Sequence, residues 1–146
     1  MTSHTGWTIV SAENPETGQR AVFRVRFARP ERPDVASLVW AIAIQWPYES
    51  EEPRQMPPPE ITAAQQNFEE ALDPLASSSH SELAHVSTGM GLKEWIFYAR
   101  SREEFMSELN ELLAGHPRYP IDIEFFEDPN WEIWEDMVKN LRRADA

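Results

Sequence analysis

From Leu38 to Trp46 the chain runs for nine residues with only Gln45 polar, and no other stretch constrains the fold as tightly. Large side chains (Leu38, Trp40, Ile42, Ile44, Trp46) alternate with small ones (Val39, Ala41, Ala43), so both faces of a strand here are apolar. Such a strand belongs in the middle of a sheet with packing on both sides.

A second strand is read at Leu92–Ala99, where aromatic and β-branched residues dominate. It runs into Ser101, and Glu104 three residues later completes a reciprocal capping box that opens a helix from Arg102. That helix carries Phe105, Met106, Leu109, Leu112 and Leu113 on one face and stops at Gly115. Upstream, Glu82–Met90 reads as a strand with Ala84, Val86 and Thr88 on one face and Leu83, His85 and Ser87 on the other; Gly89-Met90-Gly91 turns it into a hairpin. Downstream, Ile121, Ile123 and Phe125 alternate with Asp122, Glu124 and Phe126. Asp128-Pro129 then reads as an N-cap with proline at the first helical position, ahead of a helix whose inner stripe is Trp131, Trp134, Val138 and Leu141.

At the N-terminal end, Trp7–Val10 and the alternating Ala21–Phe27 flank a turn-rich segment and predict a hairpin. The stretch 47–59 is rich in proline and glutamate and predicts an exposed linker, with Pro59 opening a helix over Ile61–Leu75 that Pro74 limits. Taken together, these elements predict one α+β domain over 1–146, with a core at about 37–127. The order βαββαβ predicts a ferredoxin-like sandwich with a mainly antiparallel sheet, an added N-terminal strand pair and a C-terminal helix. In that order the Leu38–Trp46 strand already has two neighbours, so the N-terminal pair must sit at a sheet edge or the sheet must be re-ordered.

Charge narrows the partners. The formal net charge is −12 and there is no cysteine. Nucleic acid and anionic membranes would repel the chain, a basic protein partner would attract it, and thiol chemistry is excluded. The charge is uneven: five arginines stand between Arg20 and Arg32 against Glu31 alone, whereas eleven acidic residues between Glu103 and Asp136 face only Arg118. Met1–Gly6 has neither a basic nor an apolar region, which predicts a cytoplasmic protein.

Chemistry-bearing motifs are missing. The four histidines (His4, His80, His85, His116) show no ligand spacing, no Gly-x-Ser-x-Gly elbow occurs, and Gly89-Met90-Gly91 lacks the rest of a phosphate cradle. No cofactor and no metal are expected, and a non-enzymatic role is favoured. The residues singled out for binding are His85, Glu94, Tyr98, Asp122, Glu124 and Trp131. The first five can share one sheet face and perturb the histidine, and an exposed Trp131 would be a protein-binding anchor. Against this stands the plainer expectation of a hydrogen-bonded histidine on a polar sheet face and tryptophans in a core. Two functions follow: an interaction or regulatory module using an acidic surface, or a small-molecule-binding or hydrolytic protein with a site around His85, Tyr98 and Glu124.

The run Gly91–Tyr98, the Phe105 helix, and Tyr119-Pro120-Ile121 through Glu127-Asp128-Pro129-Asn130-Trp131 resemble the bacterial family known as domain of unknown function 695. The resemblance implies neither an activity nor catalytic residues. More loosely, the chain is similar in size, acidity and α+β character to the ribonuclease E inhibitor B family, which implies protein binding.

Overall fold

The computed structural model describes residues 7–51 and 55–145, with only the backbone of 143–145. Met1–Gly6 with His4, Glu52–Arg54 of the proline-rich stretch, and Ala146 lie outside the described residues. Six strands, β1 (Trp7–Glu13), β2 (Arg20–Arg26), β3 (Trp40–Pro47), β4 (Ser81–Gly89), β5 (Leu92–Ala99) and β6 (Asp122–Glu127), pair antiparallel throughout. Their order across the sheet is β1-β2-β4-β5-β3-β6. Helices α1 (Pro59–Ala71), α2 (Asp73–Ala76), α3 (Arg102–Leu112) and α4 (Glu132–Asp145) complete a mixed α and β architecture. No helix among the described residues is long and apolar enough to cross a membrane.

The doubly apolar stretch is β3, held between β5 and β6. Its large side chains Ile42, Ile44 and Trp46 pack with Phe68, Leu72 and Leu75 from α1 and α2 and with Phe105 and Leu109 from α3. Its small residues Ala41 and Ala43 lie on the opposite face, where Trp131, Trp134, Val138 and Leu141 form a second core with Val25, Ile96 and Tyr98. Burying those four side chains at roughly 2 kcal/mol each gives at most about 8 kcal/mol, comparable to the whole stability of an ordinary domain. Helix α4 is therefore a structural layer. The N-terminal hairpin adds to the sheet through β2 on β4, so β1 and β6 are the two edges and β3 keeps both its neighbours.

Three local expectations are corrected. Between Leu83 and His85 the β4–β5 register slips by one residue, Leu83 pairing with Phe97 and His85 with Ile96. This bulge at Ala84 moves Leu83 to the face of Val86 and puts Ala84 on the α4 side, against strict alternation. The second correction lies at Asp128-Pro129, where α4 begins at Glu132 and proline is not its first residue. Trp131 adopts a left-handed backbone (φ 58°), and Asp128 caps the helix across that turn by accepting from the Glu132 and Ile133 amides at 2.8 and 3.0 Å. At α3 only half of the capping box forms. Ser101 Oγ accepts from the Glu104 amide at 3.2 Å, but the Glu104 carboxylate takes two hydrogen bonds from Arg100 at 2.8 Å.

The β4–β5 turn has positive φ at Met90 (53°) and Gly91 (81°), the pattern of a tight hairpin whose twist matches the strands. Just before it, a Cβ on Gly89 would lie 2.2 Å from the Arg20 carbonyl oxygen on the neighbouring strand. Gly89→Ala is expected to cost about 3 kcal/mol or more, because backbone has to move. Met90→Gly, relieving a left-handed methionine, is expected to gain about 1 kcal/mol. Urea midpoints of the two variants check both signs.

Candidate functional site

The six residues singled out from the sequence do not converge. In register, His85 lies beside Ile96, Ile96 beside Ala43, and Ala43 beside Glu124. His85 and Glu124 thus share a face but stand three strand spacings apart, about 14 Å. Glu94 accepts from Gln45 Nε2 at 2.8 Å, while Asp122 and Glu124 are exposed on the edge strand β6. His85, Tyr98 and Trp131 are buried beneath α4, each no more than 1% exposed. The exposed Trp131 anchor and the polar sheet face around His85 are both replaced by core.

Tyr98 and Trp131 instead belong to a buried polar node. The Tyr98 hydroxyl donates to Asp128 Oδ2 at 2.5 Å and accepts from the Trp134 amide at 3.2 Å. The Trp131 ring stacks on Tyr98 with centroids 4.0 Å apart and planes 8° from parallel, and its indole N–H donates to the Leu38 carbonyl at 2.9 Å. The Arg29 guanidinium lies 4.9 Å from the Trp131 ring. Burial and the bond to Asp128 push the Tyr98 phenol well above its ordinary pKa, so it remains a donor. These contacts tie Tyr98, Asp128 and Trp131 to one another, to the start of α4 and to the Leu38 carbonyl.

His85 is buried differently. Neither ring nitrogen has a hydrogen-bond partner, and burial pushes its pKa down to about 4. A neutral imidazole enclosed by apolar side chains cannot reach a substrate proton. Among the described residues no group of three or more His, Asp or Glu could hold a metal ion.

The charges separate into two populations. Three arginines of β2 and the following loop find carboxylate partners, while Arg20 Nε donates to Ser11 Oγ and Arg29 lies over the Trp131 ring. Arg24 pairs with Glu69 at 2.7 Å, Arg26 and Arg32 hold Glu82 at 3.2 and 2.9 Å, and Arg32 also binds Asp34. Glu82 is only 3% exposed, a buried carboxylate that sequence reading missed because the bulge disguises which face its strand positions take. From the acidic half, Glu104 pairs with Arg100, Glu108 with His80 at 2.6 Å, and Glu135 with Lys139 at 3.3 Å. Glu111, Asp122, Glu124, Glu127, Glu132 and Asp136 are exposed and have no cationic partner among the described residues. Five of them run along the edge strand β6 and into the first turns of α4.

This geometry can be set beside known proteins. The profile of one family, described as a family of unknown function (DUF695), matches residues 5–138. No curated protein and no solved structure matches the chain.

Two outcomes follow from the buried groups. Asp128→Ala removes the acceptor of Tyr98 and of two helix amides, and is expected to destabilise the fold by about 3 kcal/mol, read in chemical denaturation; Tyr98→Phe costs about 1 kcal/mol. The unfolded chain protonates His85 near its ordinary pKa of 6.5, whereas the folded chain does so only near 4. Stability is therefore complete above about pH 6.5 and falls by about 3 kcal/mol as pH drops to 4. Glu69, Glu104 and Asp34, held below the carboxylate range chiefly by Arg24 and Trp95, by Arg100 and by Arg32 respectively, begin to lose their contribution only below about pH 4.5. A His85→Leu variant should flatten the stability profile between pH 4.5 and 6.5, measured by urea melts across that range.

Proposed function

We propose that this chain, which belongs to DUF695, a family of unknown function, is a non-enzymatic interaction or regulatory module of the cytoplasm whose acidic edge engages a basic protein partner. The observation that carries this is the unmatched row of carboxylates on β6 and the start of α4, in a fold whose Arg24, Arg26 and Arg32 are taken by Glu69 and Glu82. Unpaired like charges on one surface raise the energy of the free protein, and a cationic partner relieves them while speeding encounter. Charges on an edge strand also discourage sheet-to-sheet pairing, so part of the row serves solubility; that role does not require the charge to continue onto α4.

The strand order β6-β3-β5-β4, with α1 and α3 packed on one face, supports reading this part as a ferredoxin-like βαββαβ sandwich. In that reading β6 is the free edge and α4 is the addition that covers the opposite face. The looser similarity to the ribonuclease E inhibitor B family, whose members bind another protein, points the same way. A small-molecule site around His85, Tyr98 and Glu124 has less support, since α4 covers the first two and the third lies at the far edge.

The carboxylates to reverse are Glu124, Glu127 and Asp136, rather than Glu104 or Glu108, which already have partners. Rim charges contribute about 0.5 kcal/mol each and reversal roughly doubles that, so the triple change to lysine should weaken a basic partner at least tenfold. Tagged protein is passed through native lysate at low salt, and proteins retained by the parent and the variant are compared before and after a high-salt wash. A stoichiometric basic protein held by the parent, released by salt and absent from the variant is expected. Equal retention by both, or none by the parent, would contradict the proposal.

A further inference from the structure

The opposite margin of the sheet carries a different surface. Strands β1 and β2 extend the sheet past α1 and α2, and between them lies a cavity of about 610 Å³ lined by Trp7, Arg24, Arg26, Glu69, Trp95 and Phe97 among others. Through Arg24 and Glu69 it continues into a second hollow of about 260 Å³ that adds Lys93. The first alone falls within the range of small-ligand sites.

Alternation along β2 places its arginines here. Val25 faces the α4 core, so Arg24 and Arg26 share the other face of the strand, two residues and about 7 Å apart. The Arg26 guanidinium lies 5.0 Å from the Trp7 ring and gives one terminal nitrogen to Glu82. Arg24 gives one terminal nitrogen to Glu69. Each keeps a second terminal nitrogen with no acceptor among the described residues, and the two side chains are 21% and 39% exposed. The Lys93 ammonium lies 5.6 Å from the Trp95 ring. Behind these cations the wall is apolar, with Trp95 and Phe97 no more than 1% exposed. Glu69 is occupied, one of its oxygens accepting from both Arg24 and the Trp95 indole at 2.9 Å, while Glu70 and Asp73 are exposed at the rim. In a chain of net charge −12, Arg24 and Arg26 line the first hollow together, and Lys93 joins Arg24 in the second.

We propose that this groove binds an organic oxyanion with an apolar body, a carboxylate or a phosphate ester, its oxygens between the Arg24 and Arg26 guanidinium groups and its apolar part against the partly exposed Trp7 ring. Guanidinium forks match both oxyanions in geometry, and the Trp7 ring holds an aryl or alkyl group without competing for the charge. The acidic edge lies across the width of the sheet, beyond a screening length of about 8 Å at physiological salt, and does not oppose the anion at close range.

The test is a titration of isotope-labelled full-length protein with phenylacetate, phenyl phosphate and phenethylamine at constant ionic strength, followed by amide and indole NMR signals. Saturable shifts confined to Trp7, Trp95, Arg24, Arg26 and their strand neighbours are expected with at least one of the two anions and not with the amine. The tighter of the two identifies the oxyanion. Arg26→Gln should weaken that binding at least tenfold, and Arg118→Gln, at an exposed site away from the groove, should leave it unchanged. Should Arg26→Gln unfold because Glu82 loses a partner, Arg24→Gln gives the same readout from a half-exposed pair. Absence of saturable shifts with both anions, equal binding of the amine, or shifts mapping outside the groove would overturn the proposal.

Discussion

Tyr98 donates its hydroxyl hydrogen to Asp128 at the point where the chain leaves the sheet for its last helix, and the second half of the core is assembled on that bond. One oxygen of Asp128 takes the phenol and the Ile133 amide, and the other takes the Glu132 amide, so a single carboxylate joins the middle of the sheet to two orphan donors of a helix start. Trp131 stacks on Tyr98 from a left-handed backbone, a cost of roughly 1 kcal/mol that the surrounding packing offsets. The result is a sheet with layers on both sides and His85 sealed within it.

Closing that face decides where function can reside. A sheet face open to water could have gathered His85, Glu94, Tyr98, Asp122 and Glu124 around a ligand; covered by α4, it keeps only its margins. The two margins differ in charge. At β6 the carboxylates lack partners, and at β2 the arginines are held by Glu69 and Glu82 over aromatic side chains. Both departures from even mixing of charge lie toward the margins of the sheet, one on the edge strand β6 and the other on β2, next to the edge strand β1.

Much of this was legible in the sequence because burial writes periodicity. The large-small alternation of Leu38–Trp46 told of packing on both faces, the alternation of Ala21–Phe27 told of one, and Pro59 and Ser101 marked helix starts the structure keeps. The failures share a cause, a local break in period. One extra residue at Ala84 inverts the faces around Leu83, and hides the burial of Glu82 between two arginines distant in sequence. At Asp128 the residue type of a cap was visible, but nothing in an Asp-Pro pair reveals a left-handed tryptophan three residues on, stacked against a ring from another strand. Charge totals were equally silent about pairing. Composition placed the arginines and the acidic run in separate stretches, and only the folded chain shows that Glu69 and Glu82 take Arg24, Arg26 and Arg32, leaving the carboxylates of β6 and the start of α4 largely unmatched.

Native-state hydrogen exchange of the amides in α4, compared with those of β3 and β5, tests most directly whether the last helix is a layer of the core. If the Tyr98–Asp128 node and the second core are as described, the amides of Trp134 and Val138 exchange only through global unfolding, with the same opening free energy as Ile42 and Phe97. Exchange of α4 through a separate opening several kcal/mol cheaper would show that the helix detaches on its own. The face around His85 would then be accessible, contradicting the account of where the functional surfaces lie.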